Sequence, residues 1–264
     1  MQRRQFLAAS LAASAATIAR EAAAQRAHVP VREYYQLRRY LLESGPQVSL
    51  TEKYLSEALI PALAHRGMGP MGAFRVDIGP ETPVLYVLIP SISVEALAGI
   101  DLELAHDDEF LKAADPFWSA PANSPGFVRV EASLLASFTG WPKVTPPPAA
   151  ASHGRRILQL RTYESPSHRD HVRKVEMFHS GEFEIFKAAG FRPVFFGDTL
   201  IGPRMPSLTY MLSFSDLTEM DALWDKFRND PDWKKLSADP RFAYEPIVSN
   251  ITNLILSPLA ASQI

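Results

Sequence analysis

Cysteine is absent from the 264-residue sequence, so a disulfide framework, a thiolate nucleophile and a Cys-ligated zinc or iron–sulfur centre are all excluded. An excess of charge is also missing, because 27 basic residues face 29 acidic ones. General electrostatic attraction to nucleic acid or to an anionic membrane is therefore not expected. Beyond the N-terminus no apolar stretch reaches the roughly 20 residues that span a bilayer, so the mature chain is expected to have no integral membrane span.

Catalytic motifs are missing as well. The sequence contains no Gly-x-Ser-x-Gly elbow, no Walker loop and no dinucleotide-binding Gly-x-Gly-x-x-Gly. It therefore specifies no reaction, and it calls for no cofactor and no metal.

The first 24 residues have the pattern of an export leader. A basic start with Arg3 and Arg4 is followed by an Ala/Leu/Ser stretch and an A-x-A site ending at Ala24. The paired arginines followed by x-Phe-Leu are similar to twin-arginine leaders, with an ordinary Sec leader or a disordered tail as alternatives. We expect an exported, periplasmic or otherwise extracytoplasmic protein.

An internal repeat organises the rest of the chain. Three anchors share nearly one offset: Tyr40 with Tyr163 and Phe110 with Trp233 at 123 residues, and Tyr86 with Tyr210 at 124. A repeat of this kind decides the fold. We predict a first domain at 30–139, an extended Pro/Ala-rich linker at 140–154 and a second domain at 155–260.

Each copy reads as β-α-β-β-α-β. In the second copy, Ser165 followed by Pro166 predicts a helix start, Gly190 a left-handed C-cap and Asp216 the cap of a second helix.

In the first copy, the Ser49–Glu52 capping box predicts the helix start and Pro61 a bend. A second helix is predicted from Ser93 to about Leu104. The two copies thus predict the same order of elements.

The second copy resembles the NIPSNAP family. The resemblance rests on Leu160-Arg161-Thr162-Tyr163, Gly190-Phe191, Asp230-Pro231-Asp232-Trp233, Pro246 and the closing Ser257-Pro258. It implies an α+β fold of the dimeric α+β barrel superfamily, with two tandem ferredoxin-like (βαββαβ) units forming the barrel around a central cavity within one chain. Where the family favours a His-x-Trp pair, this chain has Tyr210 and Leu212. The first copy keeps only Phe110 at the aromatic position of the Asp-Pro-x-Trp motif.

Six side chains are the candidates for lining a pocket: Arg38, Tyr40, Arg161, Tyr163, His179 and Tyr210. Strand alternation would direct either the tyrosines or the arginines of the two opening strands into a shared cavity, where they suit an anionic or carbonyl-bearing ligand. Packing of these residues against helices is the alternative. His179 lies on the predicted inner face of its helix, where it would serve as a general base or a ligand. The alternative is a buried histidine bonded to a backbone carbonyl.

His168 and His171 are three residues apart on one predicted helix, so they could share a face as a pair of metal ligands. A third ligand is lacking, and the alternative is that both side chains face the solvent. Haem is conceivable only because relatives in the superfamily bind it.

Three functions follow as hypotheses. The first is a binding or interaction module of the cell envelope with a small hydrophobic or carbonyl-bearing ligand. The second is a cofactor-independent monooxygenase or isomerase, and the third is a haem or metal protein. The mature protein could also form a homo-oligomer.

Overall fold

The β-strands of the protein close into a single antiparallel barrel. The computed structural model describes residues 31–264, except for the side chains of Tyr244 and Glu245. Around the barrel the strands follow the order β1-β3-β2-β8-β5-β7-β6-β4. The strands are β1 Tyr34–Leu41, β2 Gly72–Ile78, β3 Val84–Ser91, β4 Arg129–Ser137, β5 Ile157–Glu164, β6 Arg192–Ile201, β7 Ser207–Phe214 and β8 Asn250–Pro258.

Helices cover the outside of this barrel. They are α1 Pro46–Tyr54, α2 Ile60–His65, α3 Val94–Leu104, α4 Asp108–Trp118, α5 Pro148–Ala151, α6 His168–Met177, α7 Phe183–Ala189, α8 Leu217–Asn229, α9 Pro231–Ser237 and α10 Tyr244–Ile247. A π-helical turn joins α1 to α2 (Leu55–Leu59) and another joins α6 to α7 (Phe178–Glu182), and a 3₁₀ turn spans Pro240–Phe242. In the described part of the chain, none of these helices has the length and apolar character needed to cross a membrane.

The element order β-α-β-β-α-β occurs twice along the chain. Within each half the strands are ordered fourth, first, third, second, and each half covers the edges of the other. The strand β2 pairs with β8 around Phe74 and Pro258, and β4 pairs with β6 around Ser137 and Gly197. No strand edge is therefore left open in the barrel, which removes the usual sites of edge-to-edge association.

Strand alternation separates two kinds of core. Inward side chains such as Leu160, Phe195 and Leu256 fill the barrel, while outward ones such as Leu85 and Tyr210 pack beneath the helices. All five are fully or almost fully buried. The barrel is thus a packed core over most of its length rather than an open channel.

Several predicted helix ends are confirmed. Gly190 ends α7 in the left-handed conformation, and the side chains of Ser93 and Asp216 cap α3 and α8.

Two predicted helix starts are wrong. The Ser49 capping box lies inside α1, which begins at Pro46 after Gly45, and α6 is capped by Ser167 rather than Ser165. The Ser165 hydroxyl instead donates to the Ile247 carbonyl. The Ser167 side chain caps α6 by accepting from the Asp170 amide, and α1 starts after Gly45 without a side-chain cap.

The repeat register also differs by one residue in the third strand of each half. Arg38 pairs with Val87, and Arg161 pairs with Tyr210. Tyr210 therefore corresponds to Val87 and not to Tyr86. Because a shift of one residue reverses the face of a strand, Tyr86 points into the barrel and Tyr210 points away from it.

The proline-rich segment between the halves is held against the barrel. The Thr145 amide donates to the Val194 carbonyl at 2.8 Å, and the Val144 amide donates to the Glu33 carboxylate at 2.7 Å. The Val144 side chain joins the barrel core, together with Ile264. Both side chains are buried in the barrel interior.

Candidate functional site

The open end of the barrel forms a pocket to which all eight strands contribute. Its volume is about 140 Å³. The floor is apolar, and hydroxyl side chains form a ring above it. The floor consists of Leu37, Val76, Val84, Leu160 and Leu254, and the ring of Ser133, Thr162, Thr199, Ser207, Thr209 and Thr252. A cavity of about 150 Å³ is large enough for benzene, so the pocket suits a small molecule or one end of a larger one.

Charged pairs flank the pocket on two sides. Arg39 lies between the carboxylates of Glu81 and Glu131, with 2.9 Å to the latter. Arg204 donates to the Thr252 hydroxyl at 2.6 Å and lies 3.4 Å from Glu164. Because the two arginines face three carboxylates, the rim has no excess of positive charge and gives no preference for an anionic ligand.

Most of the hydroxyl groups satisfy one another. The Thr162 and Thr209 hydroxyls are 2.8 Å apart, and the Ser207 hydroxyl donates to Thr199 at 2.9 Å. These bonds fix the side chains of the ring before any ligand binds.

Tyr86 and Ser133 are the hydroxyl-bearing residues of this pocket that take no part in these bonds or in that of Thr252 with Arg204, and Tyr86 is the larger donor. Its phenol lies within electrostatic range of Arg39, Arg204, Glu81 and Glu131, and burial raises its pKa although the two arginines oppose that effect. The hydroxyl therefore stays protonated at neutral pH. It has no hydrogen-bond partner among residues 31–264, which leaves it available to donate to a ligand.

The opening-strand candidates lie elsewhere, in the layers between barrel and helices. Arg38 and Tyr40 are both buried and both point outward, because residues two apart share a strand face. The expectation that alternation would separate the arginines from the tyrosines is therefore wrong, and packing against helices is what the structure shows. The Arg38 guanidinium donates to Asp101 on α3 at 2.9 Å.

The second half has a more polar layer at the equivalent place. The Arg161 guanidinium donates to the Tyr163 hydroxyl at 2.9 Å, and that hydroxyl is 2.9 Å from the Tyr210 hydroxyl. Arg161 also lies 4.5 Å from the Trp224 ring, in cation–π geometry. Burial raises the pKa of Tyr210 well above its usual value.

A buried ion pair completes this layer. The Lys174 ammonium donates to Glu182 at 2.8 Å, and the two side chains are 1% and 3% exposed. Burial raises the pKa of Glu182, and the nearby Lys174 and Arg161 act against that rise. The sequence analysis missed this pair. Its signal is the spacing, since Lys174, Phe178 and Glu182 follow one another at intervals of four on the inner face.

Comparison with known proteins identifies part of the chain. The sequence profile of the NIPSNAP family matches residues 158–263. These residues form a NIPSNAP domain. No curated protein matches the sequence.

Three solved structures resemble the chain. A candidate monooxygenase from Lactobacillus acidophilus has 10% identity and a TM-score of 0.54, covering 86% of this chain and 94% of its own. An anthrone oxidase-like protein has 10% identity and a TM-score of 0.50, with 86% and 92% covered. A NIPSNAP family protein of unknown function from Agrobacterium tumefaciens has 19% identity and a TM-score of 0.36, with 40% and 90% covered. The first two span both halves, and at these identities they show the fold alone.

The family motif of the NIPSNAP domain builds α9. The Asp230 carboxylate caps the helix by accepting from the Asp232 and Trp233 amides at 2.8 and 3.2 Å, with Pro231 as the first helical residue. The Trp233 ring packs on Phe227 at 4.5 Å. The motif residues thus start a short helix that contacts α8 through the Trp233 ring.

His179 of the NIPSNAP domain lies at the surface rather than in a cavity. The Gly140 amide donates to its Nε2 at 3.1 Å, so Nδ1 carries the proton and donates to the Val175 carbonyl at 2.9 Å. These two bonds define a neutral imidazole. A ligand role for either nitrogen would require one of the bonds to break.

The other two candidate histidines, His168 and His171, do not share a face of their helix. His171 is buried and donates from Nε2 to Asp198 at 2.7 Å, whereas His168 is exposed. Among residues 31–264 no cluster of three His, Asp or Glu side chains has the arrangement of a metal site. Arg3 and Arg4 lie outside the described residues.

Proposed function

We propose that the protein binds a small, largely apolar molecule with a carbonyl group at the open end of the barrel. The observation that supports this is the protonated Tyr86 hydroxyl, in a pocket lined by leucine and valine side chains and by a rim without excess positive charge. A neutral carbonyl oxygen accepts from such a donor, and the apolar part of the ligand would occupy the floor.

The proposal is tested with Tyr86→Phe. Small cyclic ketones and matched hydrocarbons without the carbonyl are titrated, and binding is followed by NMR of the protein. We expect ketone affinity to fall about tenfold in the variant, since a hydrogen bond to a buried acceptor is lost. The hydrocarbons should bind both forms equally weakly.

Tyr40→Phe is the matched control, because it removes the same hydroxyl from the helix-covered face. It should leave ketone binding unchanged. If no ketone binds the parent protein, or if Tyr86→Phe binds ketones as tightly, the proposal is wrong.

Cofactor-independent chemistry on such a ligand is the second candidate function. The observation that favours it is the convergence of Tyr86, Arg39 and Arg204 on one small pocket. The names of two fold neighbours suggest which reaction to assay, namely oxygen consumption with ketones and phenols as substrates.

We also propose that the chain consists of two ferredoxin-like units in tandem and that it is exported. The repeated element order supports the first proposal, and the Arg3-Arg4 leader supports the second. With a reporter fused to residues 1–30, replacing both arginines by lysine should abolish twin-arginine export. Unchanged export of the reporter would instead indicate a Sec leader. A homo-oligomer stays a prediction from the sequence.

A further inference from the structure

The two halves provide an internal comparison of the layer between barrel and helices. The π-helical turns Leu55–Leu59 and Phe178–Glu182 are 123 residues apart, as are the starts of α3 and α8. At this offset Lys174 corresponds to Thr51 and Glu182 corresponds to Leu59. The equivalent positions therefore carry an ion pair in one half and none in the other, although the two turns differ in backbone at Gly181, whose φ is 145°.

The fold does not require the ion pair. In the first half the Thr51 hydroxyl donates to the Gln47 carbonyl at 2.8 Å, and Leu59 is completely buried in the apolar core. Burying two charges carries a desolvation penalty that a well-packed apolar pair avoids. Lys174 and Glu182 therefore carry a desolvation penalty that the equivalent uncharged residues of the first half avoid.

Aromatic rings surround the Lys174 ammonium. It lies 4.4 Å from the centre of the Phe178 ring, 5.4 Å from Tyr163 and 6.0 Å from Trp233. Of these rings, Trp233 is the one supplied by α9.

The helix α9 is weakly anchored compared with its counterpart. It has seven residues and none is buried, whereas α4 in the first half has eleven and buries Phe110, Ala114 and Phe117. A groove of about 520 Å³ runs beside α9, lined by Gly181, Ile185 and Leu236 among others. Segments with few buried apolar contacts are those that open locally.

We propose that Lys174 and Glu182 form a second ligand site, which α9 covers through Trp233. When α9 moves away, Trp233 leaves one side of the ammonium open. The ligand is a small aromatic molecule with a hydrogen-bond acceptor. Its ring takes the place of the Trp233 indole against Lys174, and its acceptor receives a proton of the ammonium.

Reductive methylation of Lys174 measures the opening of α9, because a buried amine reacts only when it is exposed. Asp230→Ala removes the N-cap of α9 and should speed methylation of Lys174 about fivefold, as loss of one cap favours the open state by that factor. Mass spectrometry of tryptic peptides gives the rate for this one lysine in the full-length mature protein.

Asp107→Ala is the matched control. Asp107 caps α4 at the equivalent position, so its loss destabilises the protein without opening α9. Methylation of Lys174 should stay at the parent rate in this variant. Equal acceleration by the two substitutions would mean that Lys174 is exposed only by global unfolding, and would overturn the proposal.

Methyl benzoate and ethylbenzene test the ligand class, since they share a ring and differ in the acceptor. We expect methyl benzoate to slow methylation of Lys174 at least fivefold at saturation, and ethylbenzene to have a much smaller effect. The Tyr86→Phe variant should show the same protection, so the outcome is independent of the barrel pocket. Equal rates with and without methyl benzoate would exclude the site.

Discussion

At the scale of single residues, one titratable group has a clear consequence for stability. Glu219 accepts hydrogen bonds from the Arg192 guanidinium and the Ser215 amide, and these lower its pKa from 4.5 to about 2. The carboxylate stabilises the folded state at pH values above the unfolded-state pKa. That contribution is lost as the pH falls from about 4.5 toward 2, because protonation removes the charge that Arg192 binds.

Glu219→Gln should therefore flatten the acid side of the stability profile. Urea denaturation is measured at a series of pH values between about 7 and 3. The parent protein should lose more of its free energy of unfolding over this range than the variant, and the variant should be less stable at pH 7. Glu184→Gln on an exposed surface is the control and should follow the parent. Parallel profiles for all three proteins would contradict the assignment.

At the scale of elements, the segment from α6 through its π-helical turn to α7 positions the buried ion pair of the second half. The turn adds a residue to the helical repeat and brings Glu182 back under Lys174 on the buried face. The first half has a π-helical turn at the equivalent position, without the positive φ of Gly181, and Pro61 follows it, whose missing amide cannot complete a regular helical bond there. A π-helical turn is thus common to both halves, and the side chains in and around it differ between them.

Replacing the pair by the first-half residues tests this conclusion. Glu182→Leu alone should lower the free energy of unfolding by about 3–5 kcal/mol, because it leaves the buried ammonium uncompensated. Lys174→Thr combined with Glu182→Leu should recover most of that loss. Chemical denaturation of the three proteins gives the comparison, and a double variant as unstable as Glu182→Leu would show that the ion pair is structural.

At the scale of the whole molecule, the closed barrel determines where a ligand can bind. Each half supplies four strands, and each contributes side chains to the pocket at the open end, for example Arg39 and Tyr86 from one and Thr209 and Arg204 from the other. Neither half alone contains that pocket. Val144 and Ile264 belong to the packed apolar core of the barrel and not to the lining of this pocket.

The sequence by itself indicated the order of the elements and several helix ends. These depend on local signals such as the left-handed Gly190 or the capping Asp216, which act over a few residues. It also indicated the second half as a NIPSNAP domain, through residues such as Asp230 and Trp233 that form one continuous helix start.

Only the tertiary structure decided which side chains meet. Strand alternation could not say whether Arg38 or Arg39 faces the barrel, since both faces of β1 are buried or half-buried and both carry polar and apolar residues. The pairing of β2 with β8 and of β4 with β6 joins residues more than 50 positions apart, which no local pattern encodes. Tyr86 and the Lys174–Glu182 pair acquired their surroundings from that long-range closure, because a polar group becomes a site only through what the fold places next to it.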